Sequence, residues 1–143
     1  MTGGYIEKEI SWLKKIFFFF CLILLIASCS SDVTKDLGDG YFLREEGGNV
    51  KDILCEQPNS GEIPATIIDY DFDNNFIIAK QKPKLPQDPL YKKRYNYKGG
   101  GDKFYYWIIN KKTHVVIGPM NELEFDKEKV KNHVPEALDD LKK

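Results

Sequence analysis

The sequence predicts a mainly β domain of the α+β class. Two observations predict strands: residues 65–81 and residues 104–118 each contain two short apolar stretches around turn-forming residues. A third observation, a helix-capping signature at Asn121 followed by a charged segment, predicts a C-terminal α-helix. We expect a single small antiparallel meander sheet or half-barrel of about six strands, followed by that helix.

The first part of the domain is predicted from its turn residues. Residues 37–43, LGDGYFL, indicate a glycine-containing turn that enters a strand, and residues 52–56 fit a second short strand. Residues 56–64, EQPNSGEIP, combine proline, asparagine, serine and glycine. A connecting loop is expected there.

The first clear hairpin follows this loop. Ile68, Tyr70 and Phe72 alternate with aspartates, which is the period of a strand with one buried face. Residues 73–75, Asp-Asn-Asn, tolerate positive φ and form their own turn hydrogen bonds. Residues 76–80 then return as the partner strand.

A second hairpin is predicted over residues 104–118. Residues 104–109, FYYWII, are apolar or aromatic on both faces, so this strand should be central and covered on each side. Residues 110–113 form the turn, and residues 114–118 return. Residues 81–103 contain three prolines and three consecutive glycines, which predicts a long surface loop between the hairpins.

The C-terminal helix has recognisable ends. Asn121 can cap it, Glu124 can complete a capping box, and Met120 can pack on Phe125. Pro135 ends the helix. The apolar residues that recur at roughly helical spacing are Leu123, Val130 and Val134.

The N-terminal segment has the pattern of a secretory signal. The apolar run of residues 16–27 would span only about 18 Å as a helix, short of the ~30 Å hydrocarbon core of a bilayer. Lys14 and Lys15 precede the run, and small residues follow it. A simple membrane span is therefore not expected.

Residues 26–29, Ile-Ala-Ser-Cys, resemble the bacterial lipobox. The resemblance implies cleavage before Cys29, which becomes an N-palmitoyl, S-diacylglycerol cysteine inserted in membrane lipid. We expect a signal peptide over residues 1–28, the lipidated cysteine and a tether over residues 29–36, and one globular domain over residues 37–143. An ordinary signal peptide with an incidental cysteine, and an uncleaved anchor, stay open as alternatives.

Lipidation predicts an exported lipoprotein of the bacterial cell envelope, and Ser30 permits sorting to the outer membrane. Without residues 1–28 the chain has 18 basic and 20 acidic residues, which gives no bias toward nucleic acid. With Cys29 acylated, Cys55 is the remaining thiol, so no internal disulfide is possible. Cys55 fits a small buried hydrophobe, with a reactive thiol as the alternative.

No motif in the sequence predicts a catalytic residue, a metal site or a cofactor. Aspartates near residue 71 suggest a calcium loop, but Phe76 stands at the position that needs glycine and Lys82 at that of the bidentate glutamate. His114 and His133 have no partner at metal-ligand spacing.

The segment of residues 80–103 is the most suggestive surface, because it has eight basic residues against two acidic ones. Lysines that alternate with tyrosines can hold an envelope protein, an acidic glycan or an anionic lipid head group. A solvated loop is the alternative. The residues of the possible binding surface are Lys82, Lys84, Tyr91, Lys92, Lys93, Arg94, Tyr95, Tyr97 and Lys98.

The chain resembles a family of small bacterial lipoproteins known as a domain of unknown function. The strings that carry the resemblance are LGDGY at residues 37–41, IIAKQ at 77–81, YWII at 106–109 and Gly-Pro at 118–119. The resemblance implies one compact domain and assigns no functional residue.

Three functions are consistent with these features. The first is a membrane-anchored, non-enzymatic module for envelope binding or interaction. The second is an immunity or inhibitor lipoprotein that acts against a toxin or hydrolase. The third is an enzyme whose catalytic residues are dispersed along the chain.

Overall fold

A computed structural model describes residues 17, 32–138 and 141. Residues 32–138 contain seven strands, one α-helix and a 3₁₀ turn. The elements are β1 (Val33–Gly38), β2 (Tyr41–Glu46), β3 (Val50–Cys55), β4 (Ile67–Phe72), β5 (Phe76–Gln81), β6 (Tyr105–Asn110), β7 (Val115–Met120), α1 (Glu122–Lys131) and the 3₁₀ turn Glu136–Leu138.

The strands form two antiparallel sheets. Sheet A has the order β1-β2-β3, and sheet B has the order β4-β5-β6-β7. The mainly β class with one C-terminal helix is therefore confirmed, and within the described residues the strands do not close into a barrel. The strands divide between two sheets because residues 56–66 leave the edge of sheet A before β4 begins. Within this segment, Ile63 still forms an isolated β-bridge with Ile53 of β3.

The main hydrophobic core lies between the two sheets. Sheet A contributes inward-facing residues of all three strands, and sheet B contributes alternate residues of β4, β5 and β6. Trp107 is its largest fully buried side chain. The buried members are Leu37, Tyr41, Leu43, Ile53, Cys55, Ile63, Ile67, Ile77, Ala79, Tyr97, Tyr105, Trp107 and Ile109.

A second cluster lies on the other face of sheet B, under helix α1. This cluster includes the residues of β5 and β6 that alternate with those of the main core, for example Ile78 and Ile108. Phe125 of the helix stacks on Tyr106, with ring centroids 5.1 Å apart. Since β6 is buried on both faces, the predicted central strand is confirmed.

Strand β1 is not predicted by the sequence. Residues 29–36 are predicted as the lipidated cysteine and a tether, but Val33 to Asp36 pair with β2. The sequence gives no strand period because the first four side chains of β1 are all exposed, as an edge strand allows.

In β4, the structure corrects the prediction for one residue that was expected to face the core. Ile68 is exposed, while Ile67, Tyr70 and Phe72 pack on the main core. The pairing with β5 is irregular between Ile67 and Asp69, and such a bulge moves the following side chains to the opposite face. The hairpin and its turn at residues 73–75 are confirmed.

The helix start is confirmed, and the structure shows which helical residue is buried. Asn121 accepts from the backbone N–H of Glu124, and the Glu124 carboxylate accepts from the backbone N–H of Asn121. Leu123 and Val130, two of the apolar residues at roughly helical spacing, are 65% and 78% exposed. Phe125 is the buried helical residue.

The predicted signal peptide, apart from Phe17, and Cys29 lie outside the described residues. Within the part of the chain that the structure describes, no helix has the length and apolar character to cross a membrane.

Candidate functional site

The long loop of residues 82–104 is attached to sheet A through Tyr91. The Tyr91 hydroxyl donates a 2.7 Å hydrogen bond to Oδ2 of Asp52, on β3, and accepts a 3.0 Å hydrogen bond from the backbone N–H of Ala65. Burial raises the pKa of Tyr91, and its hydrogen bond to the Asp52 carboxylate raises it further. The phenol is therefore a protonated, fixed attachment point.

Two further tyrosines of the loop also turn inward. Tyr97 is buried and accepts a 3.0 Å hydrogen bond from the side-chain amide of Gln81. The Gln81 oxygen in turn accepts from Nε1 of Trp107 at 2.7 Å, in the centre of the main core. Tyr95 meets the Trp107 ring edge-on, with centroids 4.8 Å apart. Burial raises the pKa of Tyr95 to about 12, with the Glu62 carboxylate as a second cause.

The backbone of the loop is held by two buried polar side chains. Glu62 accepts a hydrogen bond from the backbone N–H of Lys92. Gln87 accepts from the backbone N–H of Tyr95 at 3.1 Å and donates to the carbonyl of Lys93 at 2.5 Å. An irregular segment has no ladder to satisfy its backbone, so these side chains supply the partners.

The cations of the loop point outward. The structure thus separates the two residue types of the predicted binding surface: the three tyrosines attach the loop, and six basic side chains face solvent. No ion pair joins these six to a carboxylate within residues 32–138. The exposed cations are Lys82, Lys84, Lys92, Lys93, Arg94 and Lys98.

A cleft of about 440 Å³ lies between the loop and the face of sheet A that points away from sheet B. Its floor includes Val50 and Leu54 of β3, and its opposite wall is built from loop residues. Apolar walls with a few fixed polar groups are typical of small-molecule and peptide sites. The loop residues in the wall are Lys84, Pro86, Gln87, Asp88, Pro89, Leu90 and Tyr91.

A charged pair lies at one side of the cleft. Arg44 on β2 is directly opposite Asp52 on β3, and its guanidinium binds both carboxylate oxygens, at 3.1 and 2.7 Å. This hydrogen bonding raises the pKa of Arg44 above its ordinary value. A third contact joins Arg44 to Glu46 at 3.1 Å. The Arg44 charge is therefore neutralised and held in place.

Sequence reasoning missed Arg44, Asp52 and Glu62. One signal was present: the chain has only two arginines among 21 basic residues, and arginine rather than lysine suits a bidentate carboxylate partner. Asp52 and Glu62 carried no such signal, because their partners in the loop are 39 and 30 residues away.

A family model described as a protein of unknown function, DUF3997, matches residues 38–142. The chain belongs to the DUF3997 family. No curated protein and no solved structure matches it. The matched range includes the cleft and the whole of the 82–104 loop, so both belong to the DUF3997 domain.

A second polar cluster of the DUF3997 domain surrounds Cys55, which is a buried, free thiol. The Tyr41 hydroxyl interacts with Cys55 and Ser60 and lies 3.2 Å from Nδ1 of His114, in the turn before β7. Burial raises the pKa of Tyr41 to about 12, and Cys55 adds to this. His114 thus contacts the tyrosine, and no hydrogen bond joins it to the thiol.

The remaining sequence candidates stay apart in the DUF3997 domain. His133 is exposed after α1, and Asp69, Asp71 and Asp73 bind backbone N–H groups of their own hairpin. Among the described residues, no three histidines, cysteines or carboxylates converge as metal ligands do.

Proposed function

We propose that this DUF3997 protein is a lipoprotein, anchored in a bacterial envelope membrane through acylated Cys29, and that its β domain is a non-enzymatic binding module. The proposed binding surface is the outer side of the 82–104 loop together with the cleft beneath it. The lipobox at residues 26–29 supports the anchor. The loop geometry supports the binding role.

The observation that carries the binding role is the division of the loop into an attached inner side and a free outer side. Tyr91, Tyr95 and Tyr97 bind Asp52, the Glu62 carbonyl and Gln81. Such attachment lowers the entropy cost of ordering the loop when a partner binds. A loop that served only as a solvated connection would not require these buried polar contacts.

The chemistry of the cleft favours binding over catalysis. Arg44 and Asp52 neutralise each other, and Tyr91 is held protonated beside them. A catalytic group must be free to contact its substrate, whereas the polar atoms of Arg44, Asp52 and Tyr91 are already hydrogen-bonded to one another.

The anchor is tested by intact-mass measurement of protein extracted from membranes of the native host. We expect a chain that begins at Cys29 and has three acyl groups. A Cys29→Ser variant that is cut at the same position and stays equally bound to membranes would contradict the anchor.

The binding surface is tested by photo-cross-linking in cells. A cross-linking amino acid at Lys93, in the loop, should form adducts, and the same amino acid at Lys127, on exposed helix α1, is the matched control. A single stoichiometric protein adduct at Lys93 would favour the immunity or inhibitor function. Equal labelling at both sites would contradict a binding role for the loop.

A further inference from the structure

The loop and the start of β1 lie at the same end of sheet A. Val33 pairs with Glu45 across β1 and β2. The next residue, Glu46, lines the cleft together with Lys84 and Leu90 of the loop. Neighbouring strands are about 4.8 Å apart, so the first residue of β1 is one strand spacing from the edge of the cleft.

An anchor at Cys29 would keep this end of the domain close to the bilayer. Residues 30–32 are all that separate Cys29 from Val33, the first residue of β1. Four residue steps of extended chain span at most about 14 Å. The surfaces that surround the start of β1 therefore lie within reach of the lipid head groups.

The outer side of the loop has apolar side chains among its cations. Leu90 is 89% exposed, and Leu85 is also exposed. Pro86 and Pro89 are exposed between them. Leucines beside lysines are typical of protein surfaces that enter the interface between head groups and acyl chains.

The charge of this surface is complementary to an anionic membrane. The six outward cations make no ion pair within residues 32–138. Each lysine or arginine near an anionic surface raises the membrane partition coefficient by about fivefold. Among the nearby carboxylates, Glu46 is bound to Arg44, whereas Asp88 and the exposed Glu45 keep their charge, so the six cations outnumber the carboxylates that oppose them.

We infer that the outer side of the 82–104 loop docks on the anionic surface of the same bilayer that holds the anchor, with Leu90 inserted at the interface. The inference rests on the anchoring in the proposed function and names lipid as the partner of the loop. A protein or glycan partner also fits the cations, but neither explains why the loop lies near Val33, which follows Cys29 after three residues.

The test uses the full acylated protein reconstituted in vesicles, with an environment-sensitive fluorophore at Leu90→Cys in a Cys55→Ala background. The matched control has the fluorophore at Leu123→Cys, on helix α1 and thus on the far side of sheet B. Vesicles of phosphatidylcholine alone are compared with vesicles that also contain phosphatidylglycerol.

Docking predicts a blue shift, and quenching by lipid-bound nitroxide, at position 90 in the phosphatidylglycerol vesicles, and neither effect at position 123. Reversing the charges of Lys92, Lys93 and Arg94 to glutamate should abolish both, as should high salt. A label at position 90 that stays in water in both kinds of vesicle would overturn the inference and leave a protein or glycan as the partner.

Failure of the anchor is distinguishable from failure of docking. A protein without acyl chains leaves the vesicles during flotation, whereas an anchored protein that does not dock floats with them while its label stays in water. Circular dichroism of each variant checks that the strands are intact.

Discussion

Two elements cover the sheets from outside, and they are attached in different ways. Helix α1 covers sheet B through one buried aromatic residue, Phe125, and its backbone hydrogen bonds are internal. The 82–104 loop is held by hydrogen bonds to Asp52 of sheet A, to Glu62 in the connection between the sheets, and to Gln81 of sheet B.

The difference follows from the backbone. A helix satisfies its own N–H and C=O groups, so an apolar contact is enough to hold it in place. A loop without a ladder needs polar side chains as partners, and each of these fixes both a position and a direction. The loop is therefore the more sharply defined surface although it has no regular secondary structure.

Alkaline pH should show the largest difference between the two elements. It should weaken the attachment of the loop more than that of helix α1, because tyrosine phenols hold the loop. The pKa values of Tyr91, Tyr95 and Tyr97 are raised by burial. The folded state then binds more protons than the unfolded state above pH 10, so stability is complete below pH 10 and is lost as pH rises toward 12. For Tyr95, with a pKa of about 12, the loss is about 3 kcal/mol.

Denaturant unfolding at pH 8, 10 and 11 measures the onset of this loss, about half of which is expected at pH 11, and absorbance at 295 nm follows tyrosinate formation. We expect these phenols to ionise only as the protein unfolds. A Tyr95→Phe variant should have a shallower pH dependence. Ionisation of all the tyrosines at pH 10 in a folded protein would contradict the attachment of the loop.

Phe125→Ala should be the most damaging substitution in the helix. The side chain is 1% exposed, and removing it leaves a cavity against Tyr106, at a cost of about 3–5 kcal/mol in unfolding free energy. Chemical denaturation measures the change. Leu123→Ala on the same helix is the control and should change stability by less than about 0.5 kcal/mol. Similar losses for both variants would mean that Phe125 does not attach the helix.

Asp52→Ala should loosen the loop and leave the helix unchanged. It removes the acceptor of both Arg44 and Tyr91, and we expect a loss of about 2–3 kcal/mol because Arg44 is partly exposed. Trypsin is a direct probe, since Lys92, Lys93 and Arg94 are exposed cleavage sites. Cleavage there should become faster.

Asp102→Ala, an exposed carboxylate in the same loop, is the matched control for Asp52→Ala and should leave the cleavage rate unchanged. An Asp52→Ala protein as resistant to trypsin as the unmodified one would refute the role of Asp52 in holding the loop.

Asn121→Ala should have the smallest of these effects. It removes the oxygen that accepts from the backbone N–H of Glu124, at a cost of about 1 kcal/mol. Asn121→Ser keeps an acceptor and should retain most of that stability. Thermal unfolding compares the two variants, and equal melting temperatures would show that the cap contributes little.

Local patterns were sufficient for the hairpins and the helix cap. The turn at residues 73–75 and the capping box of Asn121 and Glu124 each depend on residues close in sequence, so the sequence predicts them correctly. Ile68 was misplaced because a bulge depends on the partner strand rather than on alternation. The exposure of Leu123 and Val130 could not be predicted, because helical spacing shows which residues share a face and not which face is buried.

The candidate site was predicted only in part. The sequence identifies the basic loop, but it cannot show that the hydroxyls of Tyr91 and Tyr95 point inward, since their partners lie 39 and 33 residues away. Edge strand β1 was missed for a related reason, because pairing with β2 and not burial makes it a strand.

The attachment of the loop to both sheets has a consequence for the order of folding. Tyr91 needs Asp52 from sheet A, and Tyr97 needs Gln81 from sheet B. A chain whose sheets have not yet met lacks one of these partners, so the loop acquires its shape late, after the distant contacts have formed. Its outer surface is therefore a property of the finished molecule alone, and a damaged chain would lose that surface while most of its strands were still in place.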